Sequence, residues 1–287
     1  MTAANALLQV HQLSVWYGVG ADEVRAVDDV SFTIHEREVV GVVGESGSGK
    51  STVAQAILGL LDRRTTMNAG RIELEGDNVF SFDERRWGTV RGRRIGMMFQ
   101  SPESSFNPAA TIGAQISEAL RWHDGLSRTA ARQSALQALQ QVGMPRPEEI
   151  MHNYAFELSG GMCQRAALAL VMALQPALVL ADEPTASLDV LAQAELVRWL
   201  ARMQKQNGFA MLVISHDLNL IARLAQRVLV MYGGRILEHG ATASLLSNPQ
   251  HPYTVQLLTA VPRLTAHEHS VSPSLRAPSV VSGGKNS

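Results

Sequence analysis

A chain of 287 residues, 46% hydrophobic and 18% charged, is long enough to bury a substantial core as one large or two modest domains, which excludes a disordered or fibrous polypeptide. A formal net charge of −1 excludes a broad electrostatic grip on nucleic acid or anionic lipid, since both need clustered Lys and Arg. The single cysteine, Cys163, excludes an internal disulfide, and the N-terminus lacks the charged-then-apolar layout of a signal peptide, so a cytosolic chain with no nucleic-acid partner is expected.

In chain order, "EVVGVV" (38–43) is a short β-branched run that predicts a buried strand, followed by a Gly/Ser turn and the helix-like "STVAQAILGLL". Residues from about 103 to 175 predict mostly helix. "SRTAARQSALQALQQVGM" is the clearest amphipathic segment there, with Gly143 as its stop. The longest apolar stretch, "AALALVMALQPALVLA", is interrupted by Gln175 and Pro176 and ends at Asp182 and Glu183, so it predicts no membrane span. "ALVLADEP" (177–184) and "AMLVISHD" (210–217) repeat the buried-strand pattern, and "AELVRWLARM" between them spaces Leu196, Leu200 and Met203 helically. The alternation predicts an α/β fold, a parallel sheet flanked by helices with a helical subdomain inserted. The Ser/Pro/Gly/His-rich residues 263–287 predict a disordered tail.

"GESGSGKS" (44–51) fits GxxxxGK(S/T) and lies between a strand and a helix, where a phosphate-binding loop belongs. Gly44, Ser46, Gly47 and Gly49 let backbone N–H groups face phosphate oxygens, and the following helix N-terminus, with Thr52 in its first turn, adds a favourable dipole. Lys50 would reach the β- and γ-phosphates of ATP, and the Ser51 hydroxyl would bind Mg²⁺. This loop alone leaves kinases, GTPases, helicases and transport ATPases open. The acidic pair after the 177–184 strand narrows the choice: Asp182 suits the Mg²⁺ shell, and Glu183 suits a group that orients or deprotonates a water. That favours hydrolysis over transfer to a substrate, and no kinase lid or guanine-reading Asn-Lys-x-Asp stretch is present.

The order of motifs resembles the nucleotide-binding subunit of ABC transporters over about residues 7–262. "LSGGMCQR" (158–165) resembles the family signature, Gln100 in "MMFQSP" the Q-loop glutamine, "ASLD" (186–189) the D-loop, and His216 in "ISHD" the switch histidine. Tyr17 in "VWYG" is similar to the aromatic that stacks on adenine, with Trp16 as the alternative. The resemblance implies a P-loop NTPase fold. Within an ATPase domain of 1–262 it implies a RecA-like core at about 1–102 and 176–247 with an antiparallel β part, a helical subdomain at about 103–175 and a C-terminal extension at about 248–262. It implies ATP and Mg²⁺ as cofactors, with Ser51, Gln100 and Asp182 near the metal, Glu183 as base, and Gln100 and His216 near the γ-phosphate. Ser159, Gly160, Gly161 and Asp189 would complete the site of a second ATPase subunit packed head to tail, while Ser159 and Asp189 would also cap the helices that follow.

"FQSPESSFNP" (99–108), "HPYTVQLLTAVP" (251–262) and "SGGM" in place of "SGGQ" resemble the peptide and nickel import branch, the last resembling the first of its two ATPase subunits. This implies a non-identical ATPase partner, two membrane permeases, an extracytoplasmic substrate-binding protein, and residence on the cytoplasmic face of the inner membrane. The cargo implied is peptide, nickel or a metal chelate. With Cys163 alone no iron–sulfur cluster is expected, and His251, His267 and His269 read as solvated rather than metal-binding. An exporter ATPase shares every ATP motif, and a soluble ABC ATPase would carry tandem cassettes or a coiled-coil insertion, of which there is no trace.

Overall fold

Strands that are apolar on both faces set the architecture. The computed structural model describes residues 5–18, 23–62, 66–186 and 188–260. The chain opens with β1 (Ala6–Tyr17) and β2 (Val24–His35), an antiparallel pair, then β3 (Val39–Val43), which leads into the Gly/Ser loop, and α1 (Lys50–Ile57). β4 (Thr66–Leu74) returns to pair with β1, and the short β5 (Asp77–Asn78) pairs with β4. α2 (Glu84–Val90) leads into β6 (Ile95–Met98). Four helices follow before the next strand: α3 (Ile112–Asp124), α4 (Arg128–Gln141), α5 (Pro147–Ile150) and α6 (Gly160–Ala173). Then come β7 (Leu178–Asp182), α7 (Val190–Asn207), β8 (Ala210–Ser215), α8 (Leu218–Leu224), β9 (Arg227–Tyr232), β10 (Arg235–Ala241), α9 (Thr242–Ser247) and α10 (Pro252–Ala260).

Two sheets result, an antiparallel one in the order β2-β1-β4-β5 and a larger one in the order β10-β9-β3-β8-β7-β6. In the larger sheet every neighbour pair is parallel except the edge pair β10·β9. Its strands serve two cores at once. Val40, Val42, Leu178, Leu180, Leu212 and Ile214 pack with α1 and the antiparallel sheet. Their neighbours Val39, Val43, Val179, Ala181, Met211 and Val213 pack with α6, α7 and α8. The two-residue alternation of side chains across a strand explains why these segments are continuous apolar runs in the sequence. α8 lies so close to β3 that a Cβ on Gly41 would stand 2.5 Å from Ile221 Cγ2.

Local chemistry fixes the ends of the helices. α4 starts where the Ser127 side chain accepts the Ala130 N–H, and the chain turns left-handed at Gly143 (φ 67°) just after it. α1 is shorter than the predicted "STVAQAILGLL": it stops at Ile57, and Gly59 (φ 61°) lies against the Trp87 indole, where a Cβ would stand 2.4 Å from the ring. The tail at 263–287, with His267 and His269, lies outside the described residues.

Candidate active site

The loop from β3 into α1 is held by backbone on two sides. Gly44 (φ 154°) would place a Cβ 2.0 Å from the Met231 carbonyl of β9, and Gly49 (φ 96°) would place one 2.2 Å from the Ala26 carbonyl of β2. Only glycine fits both the torsion and the space at these positions. Lys50 opens α1 from a buried position, and its Nζ donates to Gly44 O (2.9 Å), Glu45 O (2.6 Å) and Ser48 Oγ (3.2 Å). Desolvation pushes the Lys50 pKa below the ordinary lysine value, against the pull of the nearby carboxylates of Glu183, Asp182 and Glu45.

The acidic pair sits at the end of β7, beside the neighbouring strand β8. Asp182 is buried, its Oδ1 has no hydrogen-bond partner, and the Ser51 hydroxyl bonds its carboxylate. Desolvation raises the Asp182 pKa, with Glu183 adding to the effect and the Ser51 hydrogen bond and Lys50 opposing it. Glu183 adopts a left-handed backbone (φ 47°), a conformation that costs a non-glycine residue about 1–2 kcal/mol. The turn aims its side chain at the strand next door: Oε1 accepts the His216 N–H at 3.0 Å and Oε2 lies 2.9 Å from His216 Nδ1. An ionised carboxylate only accepts, so this pairing puts the ring proton on Nδ1 and leaves Nε2 of the exposed imidazole available.

Lys50, Ser51, Glu183 and His216 meet in one cleft of about 600 Å³, lined also by Ala26, Ser46, Gly47, Gly49, Thr52 and Gln100; Asp182, bonded by Ser51, is not among the lining residues. The partnerless Asp182 oxygen beside Ser51 is a hard oxygen donor set, which fits Mg²⁺, a cation held by one or two protein ligands and otherwise by phosphate and water. Among the described residues no cluster of His, Cys, Asp and Glu forms an all-protein metal cage.

Tyr17 ends β1 with its hydroxyl 3.3 Å from Thr52 Oγ1, next to the cleft. Trp16 is engaged elsewhere, with the Arg25 guanidinium 5.0 Å from its ring centroid. Ser159 caps α6 by accepting the Met162 N–H at 3.4 Å, and Asp189 caps α7 by accepting the Ala192 N–H at 2.9 Å. Ser159, Gly160, Gly161 and Asp189 do not line the cleft of their own chain, among the described residues. The starts of α6 and α7 lie close together, since a Cβ on Gly161 would stand 3.7 Å from Ala192 Cβ. Two contacts of the loop had no sequence signal: Gly234 N–H donates to Ser48 O at 3.2 Å, and Glu45 N–H donates to the Tyr253 hydroxyl oxygen at 3.1 Å from 208 residues away.

Comparison with known proteins places this geometry in context. Residues 27–186 match a family described as ABC transporter, and residues 237–284 match one described as oligopeptide/dipeptide transporter, C-terminal region. Residues 153–222 also match an AAA domain described as a putative AbiEii toxin. The chain is 40% identical over 278 residues, 97% of its length and 84% of the relative's, to the dipeptide transport ATP-binding protein DppD of Escherichia coli (strain K12). It is 42% identical over 264 residues, 90% of its length and 78% of the relative's, to a putative peptide import ATP-binding protein of Brucella melitensis. The dimeric post-hydrolysis structure of the ATP-binding cassette MJ0796 with ADP and Pi superposes with a TM-score of 0.73 at 24% identity, covering 82% of this chain and 98% of that one. CbiO1 of Clostridium perfringens gives 0.71 at 26% identity, covering 85% and 92%.

Proposed function

The chain belongs to the ABC transporter family of ATP-binding subunits, and on that premise we propose a residue-level account of how it hydrolyses ATP to drive peptide uptake. The loop from Gly44 to Ser51 receives the phosphates, with Ser46, Gly47 and Gly49 on the cleft wall and Thr52 just behind. Lys50 is already fixed by loop carbonyls, so it meets the β- and γ-phosphates without a search for its rotamer. Ser51, Asp182 and Gln100 hold Mg²⁺, which when bound neutralises charge on the phosphates. Glu183 orients the attacking water and takes its proton, and His216 steadies that carboxylate through its backbone N–H and Nδ1. Tyr17 supplies the ring for adenine.

One observation carries this reading: phosphate loop, Gln100, base and histidine share a single cleft, with Asp182 bonded to Ser51 of its wall, while Ser159, Gly160, Gly161 and Asp189 stand outside it. Those donors therefore serve a second ATPase subunit packed head to tail, and the "SGGM" form suits a non-identical one. The relatives named for dipeptide and peptide transport support a peptide cargo, with nickel or a metal chelate as the alternative delivered by the same branch. Among the described residues no helix is long and apolar enough to cross a membrane. We place the subunit at the cytoplasmic face of the inner membrane, against two permeases fed by an extracytoplasmic binding protein.

The test is a tagged Glu183→Gln variant purified from membranes in mild detergent with Mg-ATP. Removing the base should lower kcat by about 10²- to 10⁴-fold while nucleotide binding persists, and two permeases with a second, different ATPase should co-purify. Undiminished hydrolysis would overturn the role of Glu183. Recovery of ribosomal or DNA-bound partners in place of permeases would overturn the transport reading.

A further inference from the structure

The last described helix reaches back to the nucleotide loop. Glu238 on β10 accepts the N–H groups of Gln250 (2.8 Å) and His251 (3.0 Å), which fixes the start of α10. The second residue of that helix, Tyr253, lays its ring against Tyr232 at the end of β9, the centroids 4.5 Å apart and the planes at 46°. From there its hydroxyl oxygen accepts the Glu45 N–H at 3.1 Å. The same Glu45 residue gives its carbonyl to Lys50 Nζ at 2.6 Å. Glu45 is thus gripped on one side by the lysine meant for phosphate and on the other by the C-terminal helix.

We propose that Tyr253 is a positioning residue of the nucleotide site, which makes ATP affinity depend on the docking of α10. The inference rests on the reading of residues 44–51 as the ATP loop. A loop that must present several N–H groups at once loses affinity when one of its peptides is freed, because the freed conformations have to be collected again on binding. Among the described residues Tyr253 makes no hydrogen bond or ring contact with the acidic pair or His216, so it acts on binding and not on the chemical step. A tyrosine that only anchored α10 would influence unfolding and leave nucleotide affinity alone.

The experiment measures Mg-ATP binding to the full-length chain by calorimetry and steady-state ATPase of the assembled transporter. Tyr253→Phe keeps the ring contact and removes the acceptor; the expected result is a rise in Kd and KM of about three- to tenfold with kcat unchanged, the range that one neutral hydrogen bond spans. Glu238→Gln, which loosens α10 without touching the loop, should shift KM the same way, and Gln256→Ala on the exposed face of α10 should not. Wild-type affinity in Tyr253→Phe, or an equal loss in Gln256→Ala, overturns the proposal. Failure of the wild-type chain to bind Mg-ATP overturns the ATP reading, and this proposal with it.

Discussion

Replacing Asp182 by asparagine should stabilise the nucleotide-free protein and abolish its response to Mg-ATP. The wild-type carboxylate is 6% exposed and has one oxygen without a partner, and its pKa is raised chiefly by desolvation. In the folded state it therefore holds its proton to higher pH than in the unfolded chain, where the value is about 3.9. As pH rises through the window between the two values, the folded state gives up a proton that the unfolded state has already lost, and stability falls. At neutral pH the charge stands as a net cost of about 1–3 kcal/mol beyond what a neutral amide would incur there, since an unsatisfied buried charge costs more than an unsatisfied neutral group. Asparagine removes that cost, which corresponds to a Tm higher by roughly 2–5 °C in a chain of this size. Saturating Mg-ATP at a hundred times Kd should add about 2.7 kcal/mol to the wild type and little to the variant. Calorimetry with and without Mg-ATP, repeated at several pH values, reads both effects. A variant that melts below the wild type without nucleotide, or a Tm difference that does not narrow toward acid pH, would refute the reasoning.

Gly49→Ala should lose about 1–2 kcal/mol from its left-handed torsion alone, and more because its Cβ meets the Ala26 carbonyl at 2.2 Å; thermal unfolding and nucleotide binding should both weaken, and a neutral result would mean that the loop relaxes freely. Desolvation raises the Glu238 pKa, but the hydrogen bonds from the Gln250 and His251 N–H groups oppose it, and the carboxyl is held below the ordinary glutamate value. Its depressed folded pKa means that the hold on α10 is complete above about 4.3 and is lost as pH falls through the folded value. Amide hydrogen exchange at Gln250 and His251 should stay slow near neutrality and speed up only below that range, whereas Glu238→Gln should be fast throughout.

What the sequence disclosed and what it concealed follow from the range of the interactions. β3, β7 and β8 were legible because strands covered on both faces need unbroken apolar runs, and α4 because Ser127 and Gly143 punctuate it locally. The antiparallel sheet came only through resemblance: β1 carries a left-handed Gln12 (φ 48°) and register shifts that break the two-residue pattern. At the cleft, "GESGSGKS" and "ADEP" could be picked out because phosphate loops and strand-end carboxylates are read as local motifs. The hydrogen bonds of His216 to Glu183 and of Glu45 to Tyr253 join distant segments, so no spacing rule could reveal them.

The same long reach bears on how the chain is made. β3 lies between β8 and β9, and Val39 N–H is held by Gln226, 187 residues later. Its nucleotide loop is completed by Tyr253, 208 residues after Glu45. At about 5–20 residues per second, a ribosome needs roughly 10–40 s to cover that interval. For most of it, until β8 and then β9 are made, "EVVGVV" has emerged without either of its strand neighbours, an apolar segment with two open edges. The nascent chain thus carries an aggregation-prone strand early and covers it late, and a chaperone that shields this strand until β8 and β9 emerge should raise the yield of active subunit.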